Sequence, residues 1–232
     1  MEQTKPSIKI CQADALEFLS QIDSANMVYI DPPFGHGAFG GFDLENLCKI
    51  VCRSYELIGL KGIVYLHGDP QMFFELGGKL PPLRGCIAWR NGWISGFKSR
   101  STRFWPRQYQ LIAGFAGKDW RWRRIERPKP ENYERRGGGG GGGFVYSDWW
   151  DDIEPVDQCS FSKEKVGFLT QKPIRLMKRL LLGSTRPEDL VVDPMLGSGT
   201  MAVACQQTFR KFLGCDSDAT AVEIALKRIS NG

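Results

Sequence analysis

Short apolar runs bounded by glycine, proline or an acid alternate along the chain with stretches whose apolar positions fall three or four apart. The first pattern predicts buried strands and the second amphipathic helices. Strands are expected at 8–11, 27–30, 62–68, 86–89, 109–115, 190–192 and 212–216. Between them, Leu16, Phe18, Leu19 and Ile22 share a helical face, and a longer helix is expected over about 44–58, ending at Gly59. Further helices are expected after Pro173, which suits a first helical turn, over about 201–208, and over 219–229. Strands that are apolar throughout and separated by helices predict an α/β fold with a mostly parallel sheet.

Length allows one sizeable α/β domain with an insertion, or two small domains, in 232 residues. No apolar run reaches the ~20 residues that span a bilayer. Residues 1–6 lack the apolar core of a signal peptide, so the chain is read as cytoplasmic. Seven scattered cysteines form no CxxC pair, and with only His36 and His67 beside them no metal site is expected. Their thiols are read as reduced.

The net charge of +5 conceals an asymmetry: from Arg84 to Arg136 fourteen Lys/Arg face four acids, a local +10. Lys98, Arg100, Arg103, Arg107, Arg121, Arg123 and Arg124 are interleaved there with Phe97, Phe104, Trp105, Trp120, Trp122 and Tyr133. Basic groups neutralise phosphates and aromatic faces stack on bases, so this stretch is read as nucleic-acid-binding. Seven consecutive glycines, 137–143, then make a linker. The acidic-aromatic patch at 148–152 has no evident role in the sequence.

Two strand ends carry the chemistry. Asp31-Pro32-Pro33-Phe34 follows the apolar run 27–30, and the prolines stop the strand because neither offers an N–H to the ladder. A carboxylate, unpaired carbonyls and an aromatic face then project at the carboxyl edge, where open α/β sheets bind ligands. Acceptors beside a flat ring suit a planar molecule that bears an amino group. His67, at another strand end, reads as a satisfied structural histidine. The second strand end runs Asp193-Pro194-Met195-Leu196-Gly197-Ser198-Gly199-Thr200, followed by a helix, a strand and Asp216. That is a nucleoside-binding unit: glycines admit close backbone approach, and the acid takes ribose hydroxyls. A Walker A loop is excluded by the absence of lysine before Thr200, and the dinucleotide fingerprint lacks its third glycine.

These two motifs, with Thr170-Gln171-Lys172-Pro173, resemble the β-class S-adenosylmethionine-dependent amino-methyltransferases of DNA, the N6-adenine and N4-cytosine family. The resemblance covers about 8–115 and 165–230. It implies a Rossmann-like methyltransferase fold with circularly permuted motif order and an inserted target-recognition region. Residues 1–96 would form the target-base half, 97–164 the recognition insertion with its glycine linker, and 165–232 the cofactor half. S-adenosylmethionine would be held by Asp193, Pro194, Gly197, Ser198, Gly199 and Thr200, with its ribose on Asp216 and its adenine near Asp14. Lys172 and Pro173 would lie beside it, and Asp31, Pro32, Pro33 and Phe34 would hold the target base. Two departures stand out: Phe168-Leu169 replaces the usual His-Pro before Thr-Gln, and Met195 replaces the usual Phe after Asp-Pro.

The implied reaction is direct methyl transfer to an exocyclic amine of a flipped-out or unpaired base, without metal. Asp at position 31, where the family's N4-cytosine members carry Ser, favours adenine N6. The partners implied are duplex or single-stranded DNA, with room for a homodimer or partner subunit, in a restriction-modification setting. Two other readings remain: N4-cytosine methylation, and an inactive nucleic-acid-binding subunit of the same fold. An oxidoreductase would leave Asp31 to Phe34 and the basic insertion without a purpose.

Overall fold

The computed structural model describes residues 5–33, 43–91, 108–127, 145–156, 164–168 and 170–231. In chain order these form β1 (Ile8–Gln12), α1 (Ala15–Ser20), β2 (Met27–Ile30), α2 (Leu44–Leu57), β3 (Ile63–Gly68), α3 (Pro70–Leu76), a 3-10 turn (Gly77–Lys79), β4 (Gly85–Arg90), β5 (Tyr109–Ala116), β6 (Trp149–Trp150), α4 (Ile174–Ser184), β7 (Leu190–Asp193), α5 (Thr200–Gln207), β8 (Lys211–Asp216) and α6 (Ala219–Ser230). Four of the six α-helices begin on an aspartate, Asp14, Asp43, Asp69 or Asp218, whose carboxylate accepts first-turn backbone N–H groups.

The strands make one sheet in the order β1-β8-β7-β2-β3-β5-β4-β6. The first five are parallel; β5 turns antiparallel against β3, and β4 against β5. From β2 the chain moves outward to β3, whereas from β7 it moves the opposite way to β8. The sheet therefore has its switch point between β2 and β7, where a crevice opens at the carboxyl edge. Period two along each strand divides the core. Val28, Ile30, Val64, Leu66 and Val192 pack under α1, α2 and α3. Met27, Tyr29, Ile63, Tyr65 and Val191 pack with α4 and α5 on the other face. Val222 and Ala225 of α6 join Leu196 in a small cluster of their own.

The patch at 148–152 acquires a role. Trp149–Trp150 pairs with β4 as a two-residue edge strand, and the Trp89 indole donates to the Ile153 carbonyl at 2.8 Å. Asp152 accepts from Arg179 at 2.7 and 2.6 Å and from Arg175 at 3.0 Å, fastening this segment to α4. Pro173 is the cap preceding α4 rather than its first helical residue. The short helix α3, unexpected from its sequence, starts because Asp69 caps it and Pro70 fits its first turn. Strand β5 falls inside 97–164 yet is fully integrated in the sheet, between β3 and β4. Among the described residues no helix is long and apolar enough to cross a membrane.

Candidate active site

Register brings the two strand ends together. Met27 and Val28 pair with Val191 and Val192, which brings Tyr29 level with Asp193 and sets Asp31 two residues beyond it on the same face of the sheet. Below them lies a cavity of about 340 Å³ lined by Asp14, Asp31, Lys172, Asp193, Gly197, Ser198, Thr200 and Asp216 among others. Four of these are carboxylates and one is an ammonium. The balance favours a cationic guest, since each acid is better solvated with positive charge nearby.

Asp31 Oδ2 accepts from Lys172 Nζ at 2.6 Å, and the two side chains are only 15% and 9% exposed. Asp31 Oδ1 is buried and has no hydrogen-bond partner. Burial raises the Asp31 pKa, with Lys172 opposing the shift. The burial penalty thus exceeds what the ion pair returns. Asp193 is more extreme: at 2% exposure, desolvation holds its carboxyl well above the usual range, although the Met195 N–H donates to Oδ1 at 3.1 Å. Under Asp31 lies His67, fully buried, its Nδ1 2.7 Å from the Tyr29 hydroxyl and 4.0 Å from Asp31 Oδ1. Desolvation, then Lys172, drives the His67 pKa well below its ordinary value, so the ring is neutral. The ring packs edge-on against Tyr29 and Trp89 beside the site.

The glycine loop after β7 is shaped by two left-handed residues, Gly197 (φ +50°) and Gly199 (φ +74°). A side chain on Gly197 would press on the Phe168 ring at 3.3 Å; one on Gly199 would meet Ala225 Cβ at 2.6 Å. The close packing that a third glycine serves elsewhere is met here by Gly199 against Ala225 of α6. Asp216 braces the loop, Oδ2 accepting from Gly197 N–H at 2.9 Å and Oδ1 from Asp218 N–H at 3.0 Å. Each carboxylate oxygen retains a further lone pair for a ligand hydroxyl. The Asp14 carboxylate caps α1 through Oδ1 and also borders the cavity.

Ser198 and Thr200 line the cavity, but their hydroxyls are engaged internally. They contact each other at 3.2 Å, Thr200 Oγ1 donates to the Lys172 carbonyl at 3.1 Å, and Arg228 donates to both. Pro194 borders the cavity, whereas Pro32, Pro173 and Gly199 are not among its lining residues. Of the departures noted in the sequence, Phe168 and Met195 both line it.

Phe34, Lys98, Arg100, Arg103 and Arg107 lie outside the described residues. Arg121 donates to the carbonyls of Lys118 and Trp120, the Arg123 N–H donates to the Gly183 carbonyl, and Arg124 lies exposed next to them. Two contributors had no signal in the sequence. Arg228 reaches from α6 to the Ser198 carbonyl at 2.8 Å, and Glu164 accepts from the first N–H of α4, Ile174, at 2.9 Å.

The described cysteines are free, and no group of three or more candidate metal ligands occurs among the described residues. A family model described as DNA methylase matches residues 25–227. The Type II methyltransferase M2.LlaDCHI of Lactococcus lactis subsp. cremoris is 43% identical over 63 residues, 27% of this chain and only 23% of that relative's length. Among solved structures, M1.HpyAVI in complex with SAM superposes with a TM-score of 0.68 at 21% identity, over 96% of this chain and 98% of that one. PvuII DNA methyltransferase, cytosine-N4-specific, gives 0.67 at 15% identity over 97% and 89%. At these identities the likeness establishes a shared fold.

Proposed function

The chain belongs to the DNA methylase family of N6 and N4 amino-methyltransferases, whose model covers 25–227, and on that premise we propose that it methylates adenine N6 in DNA with S-adenosylmethionine. The observation that carries the reading is the acidic cavity at the switch point, with the buried, unpartnered Asp31 Oδ1 at its edge. The cofactor fits the residues present: it is a cation, and four carboxylates border the cavity against one ammonium. Asp193 and the Gly197–Gly199 turn would hold its methionine end, Asp216 its ribose and Asp14 its adenine. When bound, it supplies an electrophilic methyl group.

The protein's own part is positioning and polarisation. An exocyclic amine is a poor nucleophile because its lone pair is delocalised into the ring. Asp31 Oδ1 and the Pro32 carbonyl accept its N–H bonds and localise that pair on nitrogen. Lys172 fixes the carboxylate through Oδ2, leaving Oδ1 to the amine. Low exposure strengthens each of these contacts relative to water. Phe34 would stack on the extruded base. The portion of 97–164 outside β5, with Arg121, Arg123, Arg124 and the basic residues preceding β5, would grip the strand.

The test is incubation with S-adenosylmethionine and unmodified DNA, then digestion and mass spectrometry of the nucleosides, beside an Asp31→Ala control. N6-methyldeoxyadenosine that disappears in the control is expected. N4-methyldeoxycytidine would keep the mechanism and overturn the base. Failure to bind the cofactor would overturn the enzyme reading.

A further inference from the structure

Asp31 Oδ1 is one of three buried side-chain oxygens without a hydrogen bond that follow one another along the carboxyl edge of the sheet; the others belong to Gln110 and Asn91. Register makes the row. Ile30 pairs with Leu66, which sets Asp31 beside His67. His67 pairs with Ile112, two residues from Gln110 on the same face of β5, and Gln110 pairs with Trp89, two before Asn91. Two strand spacings of ~4.8 Å put the Asp31 and Gln110 backbones on the order of 10 Å apart, a gap their side chains and one flat ring can fill. Folded proteins leave few buried polar atoms unpaired, so Asp31 Oδ1 and Asn91 Oδ1 at a ligand-binding edge ask for a ligand, while Gln110 between them has its oxygen answered by the His67 ring and its amide N–H groups to offer.

His67 sets the middle of the row. Its Nδ1 is occupied by the Tyr29 hydroxyl at 2.7 Å. Gln110 acts on the ring from the β5 side, although its Oε1 makes no bond of normal geometry. With the hydroxyl donating to Nδ1, the ring hydrogen sits on Nε2 and attracts the carboxamide oxygen. The amide N–H groups are then turned toward the substrate side. A half-turn of a carboxamide exchanges its oxygen and nitrogen, so this bond decides which one the substrate meets.

We propose that Gln110, oriented by His67, is a specificity-determining residue that donates to the ring nitrogen beside the target amine while Asp31 Oδ1 accepts from the amine itself. This deepens the function proposed above and rests on it. Adenine and cytosine both present an amino donor next to an unprotonated ring nitrogen. Guanine and thymine present a carbonyl next to an N–H, which would set oxygen against the Asp31 carboxylate and hydrogen against the Gln110 donor. The acceptor–donor order along this edge therefore selects amino bases and rejects keto bases.

The test compares wild type with Gln110→Leu and Gln110→Glu on duplexes that carry the methylated sequence. The target base is either normal or its deaza analogue, 1-deazaadenine or 3-deazacytosine, in which C–H replaces the ring nitrogen. Wild type should lose about tenfold in kcat/KM on the analogue, the scale of one hydrogen bond left unmade. Both variants should lose a similar factor on the normal base and nothing further on the analogue. S-adenosylmethionine affinity, unchanged in the variants, controls for folding. Equal losses on the analogue in wild type and variants would overturn the assignment of Gln110. That outcome, in a wild type that does methylate DNA, would leave the proposed function standing. A wild type that methylates no base overturns both.

Discussion

Removing Lys172 and removing the Asp31 charge should have opposite effects on stability, although the two groups form one ion pair. The pair is close, 2.6 Å, and its members are 9% and 15% exposed. Breaking a buried pair from one side costs about 3–5 kcal/mol, because the remaining charge stays out of water. Lys172→Met falls in that class: Asp31, and Asp193 whose pKa the Asp31 charge raises, both lose their cation. For a domain of this size each kcal/mol shifts Tm by roughly 2–4 °C, so a fall on the order of 10 °C is expected. Asp31→Asn is different. Burial raises the Asp31 pKa despite Lys172, so the ionised carboxylate already costs more than its pairing returns. Asn keeps the shape without that cost, and stability at pH 7 should hold or rise by about 1.4 kcal/mol for each unit of the upward shift. Adding Asp31→Asn to Lys172→Met should recover much of the lost Tm, while methyl transfer stays abolished in every variant that lacks Asp31. The sign in pH follows from a raised carboxylate: the Lys172→Met penalty is absent below the ordinary carboxylate pKa of ~3.9 and grows as pH rises through the folded value. Thermal melts of the four proteins at pH 4 and pH 7, beside single-turnover methylation, make the comparison. A double variant no more stable than Lys172→Met, or a large loss from Asp31→Asn alone, would refute this ranking of burial over pairing.

Asp193, whose pKa burial pushes well above the ordinary carboxylate range, should behave likewise. Asp193→Asn gains stability at neutral pH, the gain vanishes below the ordinary carboxylate range, and S-adenosylmethionine affinity drops; calorimetric titration across pH checks both, and wild-type affinity should rise with pH as Asp193 ionises. Gly199→Ala forces a side chain into the left-handed region, about 1–2 kcal/mol, and drives its Cβ to within 2.6 Å of Ala225 Cβ, about 1–3 kcal/mol of overpacking. Ala225→Gly should return most of the second part once its own cost of about 1 kcal/mol inside α6 is subtracted, so urea melts of both single variants and the double variant separate backbone strain from collision.

Much of the scaffold was legible because each strand is a bounded apolar run. Met27–Ile30 forms as expected, and the other predicted strands differ by a residue or two at their ends. The two loops that line the cavity were legible for a different reason: Asp-Pro-Pro and Gly-x-Gly break a strand in ways few sequences do. What the sequence concealed depends on partners far along the chain. Trp149-Trp150 is polar-flanked and two residues long, so only its pairing with β4 makes it a strand. Arg228 has nothing local to mark it as a loop anchor. Gln110 and Asn91 are ordinary amides until register sets them in line with Asp31.

The strand order also dictates when each part of the protein can be completed on the ribosome. β1 is made first but has a single neighbour in the sheet, β8, whose Phe212 pairs with Ile8 near the other end of the sequence. Until β8 emerges, β1 has no ladder to join, and Asp14, which follows it, has no fixed relation to Asp216. The β2-β3-β5-β4 block can assemble early from neighbouring stretches, whereas the cavity closes only when the last two strands arrive. Synthesis thus seats the Asp31 side of the cavity first and brings β1 and the Asp193 side into place together, once β7 and β8 have emerged.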